Sequence, residues 1–291
     1  KVSELSPGQW EPLAALQRLH EARSEWGDLV DVLQRRIEIC EDDTAKLGLQ
    51  ERLGAVLSDE LHRYDDAVAA YDAALVTDQS SIASIEGLEA LLQIRGDHRL
   101  KVAELLKPIL EKTGDEKELV RVLGVLLDYA GEDEQQAALL RQSLPLHRHL
   151  ADPQAAYDAS MRILRLSSAD ADNRKIAVEL ADELDCRKDY SECLLAALDV
   201  IVDQDSELEL VLGWELGQYL DEQLSQGEQA EQQWLRLLDL NPTHSGALER
   251  LERFYREAGQ WVQLRAHLRG WSEQVAGADE RRDLLLQISS L

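Results

Sequence analysis

The sequence predicts an all-α protein in which helical hairpins repeat along the chain, and three observations predict this fold class. The first is composition: the 291 residues are rich in Leu, Ala, Glu, Asp, Gln and Arg, and they include one Phe and one Met. The second is spacing, because apolar residues recur at steps of three and four, as in amphipathic helices. The third is that distant stretches match one another without gaps. Together they predict an α-solenoid of stacked antiparallel helix pairs.

The clearest hairpin lies between Leu212 and Pro242, where two amphipathic stretches flank a polar turn. The small residues Gly217 and Ala230 stand where the two helices must approach closely. Trp234 is expected to fill the space between this hairpin and its neighbour. Proline has no amide donor and disfavours a helical residue before it, so Pro242 ends the second helix.

Two ungapped alignments within the chain support the repeat. One has an offset of 235 residues and joins the first hairpin to the last; the other has an offset of 163 residues. The matched pairs include Leu5 and Leu240, Pro7 and Pro242, Leu13 and Leu248, Trp26 and Trp261, Gly54 and Gly217, and Tyr71 and Trp234. Two independent matches of this length favour a repeated structural unit over chance.

We predict sixteen helices arranged in four units. They are expected near residues 11–24, 27–40, 43–62, 65–77, 81–95, 99–113, 116–130, 133–150, 153–166, 171–185, 189–203, 206–224, 228–240, 244–258, 262–276 and 279–291. The units are residues 5–79, 80–168, 169–242 and 243–291, the last of them incomplete. Pro108 and Pro145 fall inside periodic runs, so each either kinks a helix or marks a further boundary.

Both ends of the sequence resemble the interior of a repeat. Leu5-Ser6-Pro7 resembles the tail of a preceding unit, and residues 281–291 resemble the start of the predicted helix at 43–62. Further repeats or domains beyond both ends are therefore expected. The alternative is that the apolar side chains of the last segment pack inward on their own hairpin.

The formal charge of −26 disfavours nucleic acid and anionic membrane surfaces as partners, and it permits a basic protein partner. No run approaches 18 apolar residues, so no membrane insertion is expected. Cys40, Cys186 and Cys193 are odd in number and lack metal-site spacing; we expect three buried, inert thiols, with a Cys186–Cys193 disulfide only if their Cα atoms come within ~7 Å. A cytoplasmic location is the default expectation.

The hairpin pattern resembles the tetratricopeptide repeat. That motif has a Leu-Gly pair on its first helix, then an aromatic, an Ala, a second aromatic and a small residue on its second helix, and it ends in Pro. The matching positions are Leu53, Gly54, Tyr64, Ala67, Tyr71 and Ala74, then Leu216, Gly217, Ala230, Trp234 and Pro242, and finally Leu251, Gly259, Trp261 and Leu264.

The match has departures. The spacings from Gly54 to Ala67 and from Gly217 to Ala230 are each one residue longer than usual, and the second unit matches weakly. Irregular arrays of this kind look like those of large bacterial proteins. The resemblance implies a right-handed superhelix whose first helices line a concave groove for a peptide or a helix of a partner.

Motifs for catalysis, cofactors and metals are absent from the sequence. It has no glycine-rich phosphate loop, dinucleotide fingerprint, zinc-protease motif or nucleophile elbow. His147 and His149 point about 200° apart on a helix and cannot share a metal. Nothing in the sequence holds a base beside Cys193. Acidic runs at Glu41–Asp43 and Asp170–Asp172 precede predicted helices, where carboxylates cap free amides. We therefore predict no enzymatic activity and no cofactor.

Candidate partner-binding residues lie on first helices, away from the stacking positions. They are Trp214, Gln218, Asp221 and Glu222 in the third unit, Glu51, Ala55, Ser58 and Asp59 in the first, and Glu249, Arg253 and Arg256 in the fourth. Trp214 is either an exposed binding anchor or packs against the next hairpin. Because this set is mostly acidic, a clamp for a partner's terminal carboxylate is disfavoured, and a basic or amphipathic-helical segment is expected.

The predicted function is a protein-interaction scaffold or adaptor with an acidic concave face. One alternative is the regulatory or sensor arm of a larger enzyme, such as a protease or signalling protein, whose catalytic domain lies outside this chain. Another is a self-assembling structural array.

Overall fold

The structure is a computed structural model that describes residues 10–202 and 204–291. Within these two ranges it contains sixteen α-helices and no β-strand. The helices are α1 (Trp10–Arg23), α2 (Trp26–Ile39), α3 (Asp43–Ala55, continued by the π-helical turn Val56–Glu60), α4 (Tyr64–Thr77), α5 (Ile82–Gln93), α6 (His98–Thr113), α7 (Glu116–Tyr129), α8 (Asp133–His149), α9 (Pro153–Leu166), α10 (Ala171–Glu183), α11 (Arg187–Ile201), α12 (Ser206–Glu222), α13 (Gly227–Leu240), α14 (Ser245–Glu257), α15 (Trp261–Gln274) and α16 (Ala278–Ser290).

The predicted all-α fold class is confirmed, and each predicted helix has its counterpart. Consecutive helices pack on one another from α1 to α7 and again from α9 to α16, as in a solenoid of helical hairpins. In addition α3 packs on α5, and α4 packs on α6. The matches that involve Leu5 and Pro7 lie outside the described residues.

The chain divides into two compact units. Unit 1 extends to Leu146, and unit 2 runs from His147 to Leu291. The finer division into four repeat units stays a prediction.

Most of the expected local signals act at the helix starts. Asp42 accepts a hydrogen bond from the Ala45 amide at 2.7 Å, and Asp170 accepts one from the Asn173 amide at 3.0 Å, so the acidic runs do cap helices. Pro108 lies within α6 and Pro145 within α8, so neither marks a boundary between helices.

The cores of the two units use the same device, an aromatic ring seated against a glycine. In unit 1 a Cβ on Gly54 would lie 2.6 Å from the ring of Tyr71. In unit 2 a Cβ on Gly217 would lie 2.6 Å from Nε1 of Trp234. Both rings are buried. Close packing of this kind requires glycine, because even an alanine Cβ would overlap the ring.

The extra residue in these two hairpins is absorbed at the turn between the helices. In unit 1 the helix ends in the π-helical turn, and His62 follows with a φ of 53°. In unit 2 α12 stays α-helical to Glu222, and Ser225 has the same φ of 53°. The same backbone hydrogen bond closes both turns. The one-residue insertion therefore leaves the packing register unchanged on either side.

The three cysteines are free, so Cys186 and Cys193 form no disulfide. Cys193 is buried as expected, whereas Cys40 and Cys186 are only half-buried because each lies beside a turn at a helix end. None of the helices that the structure describes has the length and apolar character needed to cross a membrane.

Candidate partner-binding surface

Trp214 on α12 packs against the start of α14. Its ring centroid lies 5.1 Å from that of His244, and a Cβ on Gly246 would lie 2.6 Å from the indole. His244 also caps α14, since its Nδ1 accepts the Ala247 amide at 3.1 Å. Trp214 is half-buried. This contact is the one that the packing alternative for Trp214 requires.

The acidic side chains at the end of α12 are paired with arginines of α14. Asp221 lies 3.1 Å from Nη1 of Arg250 and 2.5 Å from Nη2 of Arg253, and Glu222 also pairs with Arg250. The side chains of Asp221 and Arg250 are both largely buried. The first-helix surface of unit 2 is therefore compensated in charge at the positions from which the sequence predicted an acidic groove.

The remaining candidates of unit 2 lie around this network. Gln218 lines a cleft of about 290 Å³ beside Glu215, which pairs with the buried guanidinium of Arg174 at 2.7 Å. Arg256 pairs with Glu252 of its own helix at 2.5 Å, and Glu249 is exposed.

In unit 1 the candidates lie on α3 and its π-helical turn. Glu51 accepts a hydrogen bond from the Ser81 hydroxyl at 2.7 Å, next to the N-terminus of α5. Asp59 is exposed, Ser58 is buried and Ala55 is half-buried. Burial, together with the nearby charges of Asp59 and Glu51, raises the pKa of Tyr71 to about 12.

Four further carboxylates extend this surface onto α5 and the start of α7. Burial raises the pKa of Glu89, and the neighbouring carboxylates of Glu118, Asp115 and Glu86 raise it further, against a smaller opposing effect of Arg121. The sequence analysis missed these residues because they fall in the unit where the repeat pattern is weakest. Reading α5 and α7 as first helices in the register of α3 is the signal that could have found them.

We call this surface the unit-1 acidic face. It comprises Glu51, Asp59, Glu86, Glu89, Asp115 and Glu118. Glu118 pairs with Arg121 at 2.8 Å, and Asp115 accepts the Glu118 amide at 3.1 Å. Among residues 10–202 and 204–291, no ion pair is made by Asp59, Glu86 or Glu89. Negative charge is therefore left uncompensated here, in contrast to α12 and α14.

Two other groups bear on catalysis and metal binding. Burial raises the pKa of the Cys193 thiol against the opposing effect of Arg165, and this disfavours the nucleophilic thiolate. Ligand atoms of His20, Glu25 and Asp28 lie within 4.8 Å of one another at the turn between α1 and α2, and His20 Nδ1 is 2.7 Å from the Glu25 carboxylate. Three partly exposed ligands joined by their own hydrogen bond and ion pair do not by themselves define a metal centre.

No protein-family model and no curated protein sequence matches the chain. Solved structures similar to it are tetratricopeptide-type proteins. A protein from Parabacteroides merdae is 11% identical over 97% of this chain and 99% of its own, with a TM-score of 0.28. MamA is 13% identical over 62% of this chain and 95% of its own, with a TM-score of 0.34. YrrB, described as having an unusual peptide-binding site, is 16% identical over 74% and 95%, with a TM-score of 0.30.

These TM-scores are low, so the fold assignment rests on the chain's own helices. Their consecutive packing and the glycine-seated rings Tyr71 and Trp234 fit the motif positions that the sequence shares with the tetratricopeptide repeat. The described chain is an all-α array of tetratricopeptide-like helical hairpins.

Proposed function

We propose that this protein is an interaction scaffold that binds a peptide or helical segment of a partner protein on the unit-1 acidic face. The observation that carries the proposal is the lack of ion-pair partners for Asp59, Glu86 and Glu89 among the described residues. The partner segment is basic, or it is an amphipathic helix with a basic side.

The energetics favour this assignment over unit 2. In unit 2 a ligand cation would have to displace Arg250 or Arg253 from carboxylates that they already hold. In unit 1 a Lys or Arg of the partner meets carboxylates whose mutual repulsion it relieves, as the raised pKa of Glu89 indicates. Each such exposed pair contributes about 0.2–1 kcal/mol, so several pairs together supply useful affinity and, above all, specificity.

The arrangement of the helices is also suitable. α3 and α5 pack side by side, so their exposed residues form one surface that a helix or an extended segment can cross. The glycine-seated core beneath holds that surface in place through Tyr71, which contacts both helices.

The test is a selection of peptides from a random display library on the full chain. The recovered peptides should be rich in Lys and Arg, and their affinity should fall as salt is raised. The triple variant Asp59→Asn, Glu86→Gln, Glu89→Gln should bind them roughly tenfold more weakly.

A matched control removes the same charge from second helices of unit 1. The variant Glu38→Gln, Asp65→Asn, Glu104→Gln changes exposed carboxylates on α2, α4 and α6. It should retain the wild-type affinity. Equal losses in both triple variants, or recovery of peptides without basic residues, would reject the proposal.

The two alternatives drawn from the sequence, an arm of a larger enzyme and a self-assembling array, stay predictions. The complete reading frame tests the first, and light scattering across a range of protein concentration tests the second.

A further inference from the structure

We propose that unit 1 has a second binding site, an apolar groove that takes an aromatic side chain of a partner protein, of the size of an indole. The groove lies between the second helices α4 and α6 and the start of α5. It is distinct from the unit-1 acidic face and does not depend on the function proposed for that face. We call it the unit-1 apolar groove; its apolar lining is Leu75, Val76, Ile82, Ile85, Leu105 and Ile109, with Pro108 beside them.

The groove has the size and lining of a ligand site. Its volume is about 670 Å³, and its walls are mostly apolar. Val76 is 82% exposed and Ile82 is 72% exposed, and both stand at its rim. Exposed apolar residues are common one at a time, so their presence alone decides nothing. The equivalent place in unit 2 supplies the argument.

The internal repeat identifies that equivalent place. The offset of 163 residues that joins the two hairpins places Val76 and Ile82 at Asp239 and Ser245. The buried positions of α6 and α15 also match: Val102, Leu106 and Leu110 correspond to Leu264, Leu268 and Ser272. This match places Leu105 and Ile109 at His267 and Trp271.

In unit 2 the protein supplies an aromatic side chain of its own at this position. Nε2 of His267 lies 2.9 Å from the carbonyl oxygen of Leu248, the residue equivalent to Ile85. The half-buried ring of Trp271 follows one turn later, with its centroid 6.0 Å from that of His267. Unit 1 has the smaller Leu105 and Ile109 at these two positions.

The two differences occur together. Where an internal indole is present, the rim residues are polar, as Asp239 and Ser245 are. Where it is replaced by an isoleucine, the rim residues are the apolar Val76 and Ile82. A groove that is filled from outside requires this combination, because the incoming ring must be desolvated at the rim as well as at the base.

The occupant is a partner protein and not a second copy of this chain. A formal charge of −26 on each copy opposes self-association. The rim instead offers the ammonium group of Lys112 and the carboxylate of Asp78 on either side of an apolar floor. An aromatic side chain on a partner's helix fits such a site, with the polar rim left for its flanking residues.

The first test uses 5-fluoroindole as the probe, followed by ¹⁹F NMR on the full chain. We expect saturable binding at one site with a Kd on the order of 1 mM. Ile109→Trp copies the unit-2 residue into the groove and should weaken binding at least tenfold. Val262→Trp adds the same side chain at an exposed position of unit 2 and should leave binding unchanged.

Two further variants keep the test decisive should Ile109→Trp perturb folding. Val76→Asp copies the polar rim and should weaken probe binding several-fold. Trp271→Ile should create a second site for the probe in unit 2. Probe binding that does not saturate, or that is the same in Ile109→Trp and Val76→Asp as in the wild type, overturns the proposal.

The occupant is tested by peptide display on the wild type and on Ile109→Trp. Peptides recovered with the wild type alone should carry Trp, Phe or Tyr and lose binding when that residue becomes Ala. Two results contradict a partner's aromatic side chain as the occupant: recovery of no such peptides, or a concentration-dependent dimer that Ile109→Trp abolishes. Both sets of measurements are independent of the acidic-face variants, so the two proposals can fail separately.

Discussion

The hairpins α3–α4 and α12–α13 share one packing plan but use different rings, and that difference reaches the surface. In unit 1 Tyr71 passes Gly54 and extends to Gly87 on α5, where a Cβ would collide with its phenol. In unit 2 Trp234 is held against Gly217, and the position equivalent to Gly87 is Arg250. The ring chosen for the core therefore decides whether the next helix can carry an arginine there.

The consequence is electrostatic. With Arg250 present, the carboxylates at the end of α12 are paired. With Gly87 required, the equivalent end of α3 keeps the unpaired Asp59. The stacking contact differs as well: the pair Glu51 and Ser81 of unit 1 is replaced by Trp214 and His244 in unit 2. A repeat can thus keep its packing register while its surface changes from acidic to neutral.

The largest effect is expected from the core rings themselves. Trp234→Ala should lower the free energy of unfolding by about 3–5 kcal/mol, because it removes a fully buried aromatic side chain and leaves a cavity. Tyr71→Ala should cost a similar amount in unit 1. Urea unfolding followed by circular dichroism measures both, and a loss below about 1 kcal/mol in either variant contradicts the shared plan.

The glycines that receive these rings should be next in effect. Gly87→Ala forces a Cβ into the Tyr71 phenol and should destabilise the protein by about 1–3 kcal/mol. Gly48→Ala is the control, since nothing lies within 4 Å of its Cβ position on α3. That change should stabilise by up to about 1 kcal/mol through helix propensity. Equal effects at the two sites would mean that Tyr71 does not occupy this position.

Trp214 separates packing from binding. Its contacts with His244 and Gly246 predict that Trp214→Ala lowers the unfolding free energy of unit 2 by about 1–2 kcal/mol, because the indole is only half-buried. If Trp214 is instead a binding anchor, the same variant keeps its stability and loses more than ~1 kcal/mol of partner affinity. Thermal unfolding and peptide titration on one sample distinguish the two outcomes.

Charge compensation in unit 2 should have a smaller, salt-dependent effect. Arg250→Gln leaves Asp221 and Glu222 with fewer partners and should cost about 0.5–1 kcal/mol at low salt, because these groups are partly exposed. The variant should also gain affinity for basic peptides. An unchanged affinity would argue that the ion pairs do not mask this surface.

The smallest effects are opposite pH responses of the two units. Burial lowers the pKa of His267 below its ordinary 6.5, so its contribution to stability is present above that pH and is lost as pH falls through the folded-state pKa. Burial and neighbouring carboxylates raise the pKa of Glu89 above 4.5, so its contribution is present below that value and is lost as pH rises through the folded-state pKa.

His267→Gln should therefore reduce the loss of stability between pH 7 and pH 5, and Glu89→Gln should raise stability at pH 7 more than at pH 4. Calorimetric melting at these pH values measures both. A His267→Gln profile parallel to the wild type would show that the ring does not titrate differently on unfolding.

Much of the fold was predictable because its signals are local. Helix period, capping aspartates such as Asp42, and the motif residues Gly54 and Gly217 act within a few residues of one another. The one-residue insertion was visible as a longer spacing, but its resolution into a π-helical turn in unit 1 and a longer α-helix in unit 2 depends on packing.

The surface was harder to predict because its charges meet only after stacking. Asp221 and Arg250 lie on different helices, and sequence alone gave no reason to pair them. The acidic residues Glu86, Glu89 and Glu118 belong to helices whose repeat match is weak, so their register was not assigned. The predicted acidic character was correctly read as a property of composition, and its position on α3, α5 and α7 required the fold.

The central claim, that the unit-1 acidic face is where a partner binds, is tested most directly by hydrogen exchange. The full chain is measured by mass spectrometry with and without a basic peptide selected on it. The account predicts slower exchange in α3, α5 and α7, with α10, α12 and α14 unchanged. Protection confined to α10, α12 and α14 would contradict it.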